Sequence, residues 1–204
     1  MKSIFFSGTA CEDLIMHMAK LLAITGNETA ISDEDGNYSF SEIPIVDREE
    51  TSDHPGFLLI NGVRKPEEAK EADYRILVTD LQPCNARRLR KITDKETVRD
   101  WDMVILRDPH KNERAGKYIM NLLKLRCPLI MIRESDEDFA LRCCMQEGIR
   151  YRLKGLGKEM LKGLFEAAKE IAALSDRDLK RALRRERRWE RSLNSGPVIK
   201  QRGV

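Results

Sequence analysis

The sequence predicts an α/β fold: a mostly parallel sheet flanked by helices on both faces, with a basic helix at the C-terminal end. Three observations carry that prediction. Compact apolar runs such as Ile4–Phe6, Phe57–Ile60 and Pro128–Ile132 fit strands buried on both faces. Stretches with apolar residues at helical spacing alternate with those runs. The composition then shifts abruptly, with ten Lys/Arg against three Asp/Glu between Arg177 and Arg202.

Taken in order, the apolar run Ile4–Phe6 is a strand that meets a turn at Ser7-Gly8. Leu14, Ile15, Met18, Ala19, Leu21 and Leu22 then mark a helix that Gly26 ends. Glu28–Ser32 is a short second strand. Asp33 to Pro55 is acidic and weakly patterned, with a small strand at Ile43, Ile45 and Val46. Phe57–Ile60, closed by Asn61-Gly62, is a buried third strand. Lys65–Ala72 is a short helix or turn, Arg75–Thr79 a fourth strand, and Asn85–Ile92 a basic helix after Pro83. Trp101–Leu106 is a fifth strand, followed by a helix over Arg114–Leu125 with Tyr118, Ile119, Leu122 and Leu123 facing inward. Pro128–Ile132 is a sixth strand, and Ser135 caps a helix running to about Gln146. Met160, Leu161, Leu164, Phe165, Ala168, Ile171 and Ala172 define a strongly amphipathic helix. There is no internal repeat. Residues 1–174 form the α/β domain, 175–193 the basic helix and 194–204 a disordered tail.

The totals narrow the function. A chain of 204 residues, 41% hydrophobic and 35% charged, suits one domain with an appendage. No apolar run approaches the roughly 18 residues of a membrane span, and the start lacks a signal-peptide pattern. Five cysteines without a C-x-x-C pair argue against zinc and for a reducing cytoplasm. Although the net charge is only +3, residues 28–53 hold nine acids and one base. An acidic body therefore carries a basic extension.

A strand–turn–helix–strand unit at the start is the kind that opens nucleotide-binding domains. Such turns carry glycines and a lysine, because backbone N–H groups and an ammonium must cradle phosphates. Here the turn reads SGTACED, with one glycine, no lysine and two carboxylates. The helix end Met18-Ala19-Lys20-Leu21-Leu22-Ala23-Ile24-Thr25-Gly26 and the acids Asp33 and Asp35 after the second strand resemble the ParA/MinD group of deviant Walker-A ATPases. That group includes the CpaE/TadZ branch associated with placing pili and secretion machines. Its members carry K-G-G-V-G-K-T-T after the first strand, L-A-x-x-L-A-x-x-G at the helix end and D-x-D-x-Q after the second strand. The run Ala72–Asp80 and the strand-then-acidic-helix unit ending at Gly148 are similar too, so the likeness covers about residues 2–174.

The resemblance implies a degenerate nucleotide site at Ser7, Gly8, Thr9, Cys11, Glu12, Asp33, Asp35 and Asn61. Cys11 falls where the phosphate lysine belongs and Glu12 where the magnesium-binding threonine belongs. Asn61 lies near the aspartate expected after the third strand. Losing an ammonium and adding Glu12 and Asp13 sets negative charge beside a triphosphate, and magnesium bridging cannot restore the missing backbone nest. The expectation is therefore no ATP hydrolysis and no cofactor.

Other candidates carry weaker signals. Asn85, Arg87, Arg88, Arg90 and Lys91 form a basic helix face that reads as solvated. Asp108, His110 and Lys111 sit on a loop where the resemblance places base contacts. His17 and His54 have no partners at ligand spacing. Cys11 lies at a helix N-terminus, which favours a thiolate, but Glu12 and Asp13 oppose it. Cys127, Cys143 and Cys144 read as packing residues.

The C-terminal helix carries the strongest signal. Leu179, Ala182, Leu183, Trp189 and Leu193 share an arc of roughly 120°, with arginines opposite. Arg181, Arg184, Arg185, Arg188, Trp189 and Arg191 are the partner-binding candidates. Over residues 177–191 Arg outnumbers Lys seven to one, which favours phosphate or carboxylate recognition. Membrane-tethered relatives such as MinD carry a basic amphipathic helix at this place. Four readings stand together: a protein partner, an anionic membrane surface, a nucleic acid, or a stripe docked on its own domain. The expected function is a non-catalytic scaffold or placement regulator of a pilus, secretion or conjugation assembly, in the cytoplasm or at the inner face of the membrane, with a homodimer admitted. The alternatives are a nucleotide-dependent switch with a rebuilt site and a nucleic-acid-binding accessory protein.

Overall fold

The computed structural model describes residues 1–9, 11–32, 38, 43–46, 56–62, 66–93, 100–107, 113–146 and 151–195. Its strands are β1 (Lys2–Gly8), β2 (Thr29–Ser32), β3 (Ile45–Val46), β4 (Phe57–Asn61), β5 (Tyr74–Asp80), β6 (Met103–Arg107) and β7 (Leu129–Ile132). They form one seven-stranded sheet in the order β3-β2-β4-β1-β5-β6-β7, and every pairing is parallel. Six long strands and a small one at Ile45–Val46 match the expectation. β1 lies at the centre, flanked by β4 and β5. The chain first moves to one side of β1 and later resumes on the other. That reversal makes the carboxyl ends of β1 and its neighbours a topological switch point, where α/β sheets bind ligands.

The helices are α1 (Glu12–Ile24), α2 (Pro83–Thr93), α3 (Glu113–Leu123), α4 (Asp136–Gln146), α5 (Lys158–Ala172) and α6 (Asp176–Ser195). Strand alternation sorts the core into two layers. Ile4, Phe6, Ile76, Val78, Met103, Ile105, Ile130 and Ile132 face α1, α5 and α6. Phe5, Leu77, Val104 and Leu106 face Leu89 of α2 and Ile119 and Leu123 of α3. Tyr118 departs from the expectation and is 65% exposed. One residue before Ile119 turns it about 100° off the buried Ile119–Leu123 line.

Local chemistry sets the ends of α1. Gly26, at φ +98°, donates its N–H to Ala23 O, and Asn27 N donates to Leu22 O at 3.3 Å. Those two bonds form a Schellman ending, which needs a left-handed residue that glycine supplies. Two helix starts, those of α4 and α6, use reciprocal caps. Asp138 N donates to Ser135 Oγ while Ser135 N donates to Asp138 Oδ2, and Ser175 and Asp178 repeat the arrangement before α6. Asp138 Oδ1 also accepts the N–H of Gly157 at 2.7 Å, tying the start of α4 to that of α5.

Candidate functional site at the carboxyl end of the central strand

β1 ends tightly. Gly8 has φ +123°, and a Cβ there would meet Val78 O at 1.9 Å, so only glycine fits. Thr9 N donates to Val78 O at 3.1 Å, and Ser7 Oγ donates to Gly62 O at 3.4 Å. The turn is thereby stitched to β5 on one side and to the end of β4 on the other. Asn61 Nδ2 donates to Tyr38 OH at 3.3 Å. Asp33, Asp35, His54, Asp108, His110 and Lys111 lie outside the described residues.

Cys11 is fully buried where α1 begins, and Glu12 is exposed beside it. Burial pushes the Cys11 thiol far above its ordinary value, and Glu12 and Asp13 push the same way against Arg107 and Arg88. A neutral, enclosed thiol is neither a nucleophile nor a phosphate ligand. Among the other cysteines, Cys143 is exposed, contrary to the packing role expected of it. α4 buries only one narrow side around Asp138, and Cys143 falls outside it.

The centre of the site is a residue pair that the sequence did not suggest. Arg107 Nη1 donates to Asp13 Oδ1 and Nη2 to Asp13 Oδ2, both at 2.7 Å, across 94 residues of chain. Both side chains are nearly enclosed, at 6% exposure each. Strand alternation from Met103 and Ile105 turns Arg107 to the α1 side, and Glu134 follows two residues after Ile132, the last residue of β7. Arg107 also pairs with Glu134, and Arg142 Nη2 donates to Glu134 Oε2 at 3.3 Å. Burial alone would raise the Asp13 carboxyl, but the guanidinium charge and its two hydrogen bonds hold it below the usual range. Arg107 is drawn up correspondingly, since Asp13 and Glu134 outweigh its desolvation. A helix start attracts an anion, and here the chain supplies that anion itself.

Asp13 begins a polar line along α1 at i, i+4 and i+7: Asp13, His17 and Lys20, all buried. His17 Nδ1 lies 2.8 Å from Tyr151 OH, and the rings meet edge-on. Burial drives the His17 pKa down to about 4. Lys20 donates to the carbonyl of Tyr151 and sits 4.6 Å over its ring. Lys20 Nζ also lies 3.9 Å from Glu186 Oε1 of α6, which accepts Leu153 N–H at 2.6 Å. This line of polar residues on an otherwise apolar helix was the available sequence signal for Lys20 and its partners.

α6 is anchored through that contact and through its apolar stripe. Leu179 and Ala182 are buried in the same core layer as α1, and Leu183 packs against it. Arg181, Arg184, Arg185, Arg188 and Arg191 are exposed on the outside. The backbone of Trp189 belongs to α6, while its side chain lies outside the described residues. On α2, Arg87, Arg88, Arg90 and Lys91 are exposed opposite buried Leu89, and Asn85 Nδ2 donates to Asp80 Oδ2 at 2.8 Å. No cluster of potential metal ligands occurs among the described residues, and no helix among them is long and apolar enough to cross a membrane.

A seven-stranded parallel sheet with helices on both faces and β1 at its centre defines the MinD-like α/β fold of P-loop proteins. Two solved structures from Aquifex aeolicus make the likeness particular. A chain of the MinC:MinD cell division protein complex superposes with a TM-score of 0.63 at 13% sequence identity, covering 86% of this chain and 97% of that one. The MinD cell division protein gives 0.58 at 13% identity, covering 86% and 98%. No family model and no curated protein matches the sequence.

Proposed function

We propose that the protein is a non-catalytic, ParA/MinD-type domain of the CpaE/TadZ kind, which acts as a scaffold or placement factor for a partner assembly. The observation that carries this reading is the bidentate Asp13–Arg107 pair at the start of α1. In a working phosphate loop that helix start faces the nucleotide's oxygens. Here a carboxylate of the chain holds the local guanidinium, Cys11, which the resemblance aligns with the phosphate lysine, is buried, and Gly8 is the loop's one glycine. These residues do not fit a magnesium–triphosphate, and no step is routed through one.

A scaffold acts through its surface, and the basic outer face of α6 is the surface we assign to the partner. The MinC:MinD structure is itself a complex of two proteins, which makes partner binding on this fold a familiar use of it. The test is equilibrium binding of labelled ATP with magnesium to the full chain. The expected outcome is no saturation up to roughly 1 mM nucleotide, whereas saturation at micromolar concentration overturns the reading.

A further inference from the structure

β7 ends the sheet beyond β6, and no described strand pairs with its outer side. Its two faces are covered. A Cβ on Gly116 of α3 would meet Leu129 Cδ2 at 2.9 Å, and one on Gly163 of α5 would meet Ile132 Cγ1 at 2.5 Å, so both helices press closely on the strand. Its rim is different. Val104 N donates to Pro128 O at 2.9 Å, which turns the main chain of Pro128, Ile130 and Ile132 toward β6. The N–H and C=O groups of Leu129 and Met131 therefore face outward, where no described strand receives them. Native edges are commonly guarded by a charge, a proline or a bulge. Leu129–Ile132 has no charge and no proline, and its register with β6 is unbroken.

The charges on either side of β7 select what fits that rim. Lys124 and Arg126 precede the strand, Asp136 and Glu137 follow it, and all four are exposed. A parallel strand of the same kind would set like charges abreast. An antiparallel one sets the basic approach of each chain beside the acidic exit of the other, and a two-fold axis does this twice. We infer that β7 pairs with β7 of a second copy, antiparallel about a two-fold axis at Ile130, joining the two sheets into one. Leu129 then lies opposite the partner's Met131 and exchanges both main-chain hydrogen bonds with it. Lys124 comes abreast of the partner's Asp136, and Arg133 meets the partner's neutral Cys127. Another extended segment could use the same main-chain groups, but the order basic, apolar, acidic is met in reverse by β7 itself. The contact lies at the rim of the sheet, away from the start of α1, so it goes beyond the scaffold reading and needs no nucleotide.

The test is sedimentation velocity of the full chain without nucleotide, from about 1 to 200 μM. A short rim makes a weak contact, so a reversible dimer with a Kd of roughly 10–100 μM is expected. Amide exchange at Leu129 and Met131 should slow as the concentration rises. Met131→Pro deletes an N–H that β6 does not use, and it should give a monomer throughout with unchanged circular dichroism. Lys124→Glu/Arg126→Glu should weaken the dimer at least about tenfold, and so should Asp136→Lys/Glu137→Lys. Combining the four substitutions should restore the parent constant to within about threefold, which a misfolded chain would not do. The inference is overturned by a monomer at about 200 μM, by a dimer that Met131→Pro leaves intact, or by a fourfold variant that stays weak. Equal protection of Leu129 and Met131 at every concentration also overturns it, because another part of the same chain would then cover the rim. None of these outcomes touches the nucleotide test, and saturable ATP binding would leave the dimer standing.

Discussion

Arginine is used in opposite ways at two places in this molecule. At the end of β6, Arg107 is enclosed, bonded to Asp13 through both terminal nitrogens and paired again with Glu134. On the outside of α6, Arg181, Arg184 and Arg188 are exposed and stand in an arc that holds no carboxylate among the described side chains of that helix. The first arrangement pairs charges within the chain at the sheet end where this type of fold usually holds a ligand. The second leaves a surface open. A guanidinium count alone would treat the two alike; burial and the position of the nearest carboxylate separate them. Buried ion pairs contribute little net stability but are costly to break, while exposed charges act mainly through what approaches them.

That contrast is testable, beginning with its buried half. Arg107→Leu strands the buried Asp13 carboxylate, while half-buried Glu134 keeps Arg142, and should cost about 3–5 kcal/mol in urea unfolding. Adding Asp13→Leu should recover a large part of that loss, and a double variant as unstable as the sum of the singles would contradict the coupling. Leu179→Ala, under the anchored side of α6, should cost about 3 kcal/mol and speed amide exchange in α6 before the rest of the domain. If α6 exchange is unchanged, the helix is not held by that stripe.

The pH dependence should be smaller and centred on His17. Its folded pKa of about 4 lies below the ordinary 6.5, so the unfolded chain binds the proton more readily. Stability should therefore be complete above pH 6.5 and decline as pH falls toward 4. Between pH 7.5 and pH 5 the loss from this group should be about 2 kcal/mol, and a His17→Gln variant should lack it. Asp13, whose pKa is lowered, adds a loss at still lower pH as its carboxylate is protonated. The smallest effect belongs to the open half. Neutralising Arg181, Arg184 and Arg188 should move folding stability by no more than about 0.5 kcal/mol at each position, measured by urea midpoints.

The fold was readable because its evidence is local. Apolar runs of strand length alternate with helical spacing, Gly26 ends α1 where a left-handed residue is required, and Ser135 precedes its helix by the right offset. The site was only partly readable. Cys11, Glu12 and Gly8 could be placed by counting along one turn. Arg107 could not, because at the end of a strand an arginine reads as solvated, and its partner is 94 residues distant. Only the register Arg107↔Ile132 and the shared face of β6 and β7 bring Glu134 to it. Asp13 was read as repelling a phosphate when its carboxylate has a guanidinium of its own. On α6 the wheel placed Leu179, Ala182 and Leu183 on the packed face, but which surface would receive them is a tertiary fact.

The contact between Lys20 and Glu186 sets an order on the making of the protein. Lys20, on α1, leaves the ribosome before the carboxylate that meets it, which also accepts the Leu153 N–H and arrives 166 residues later. Until then the growing chain must shelter an ammonium in an unfinished core, a state that invites capture by chaperones or by other chains. Trimming α6 would take the Glu186 carboxylate away from Lys20 and from the Leu153 N–H, so its outer face is better examined by single substitutions than by truncation.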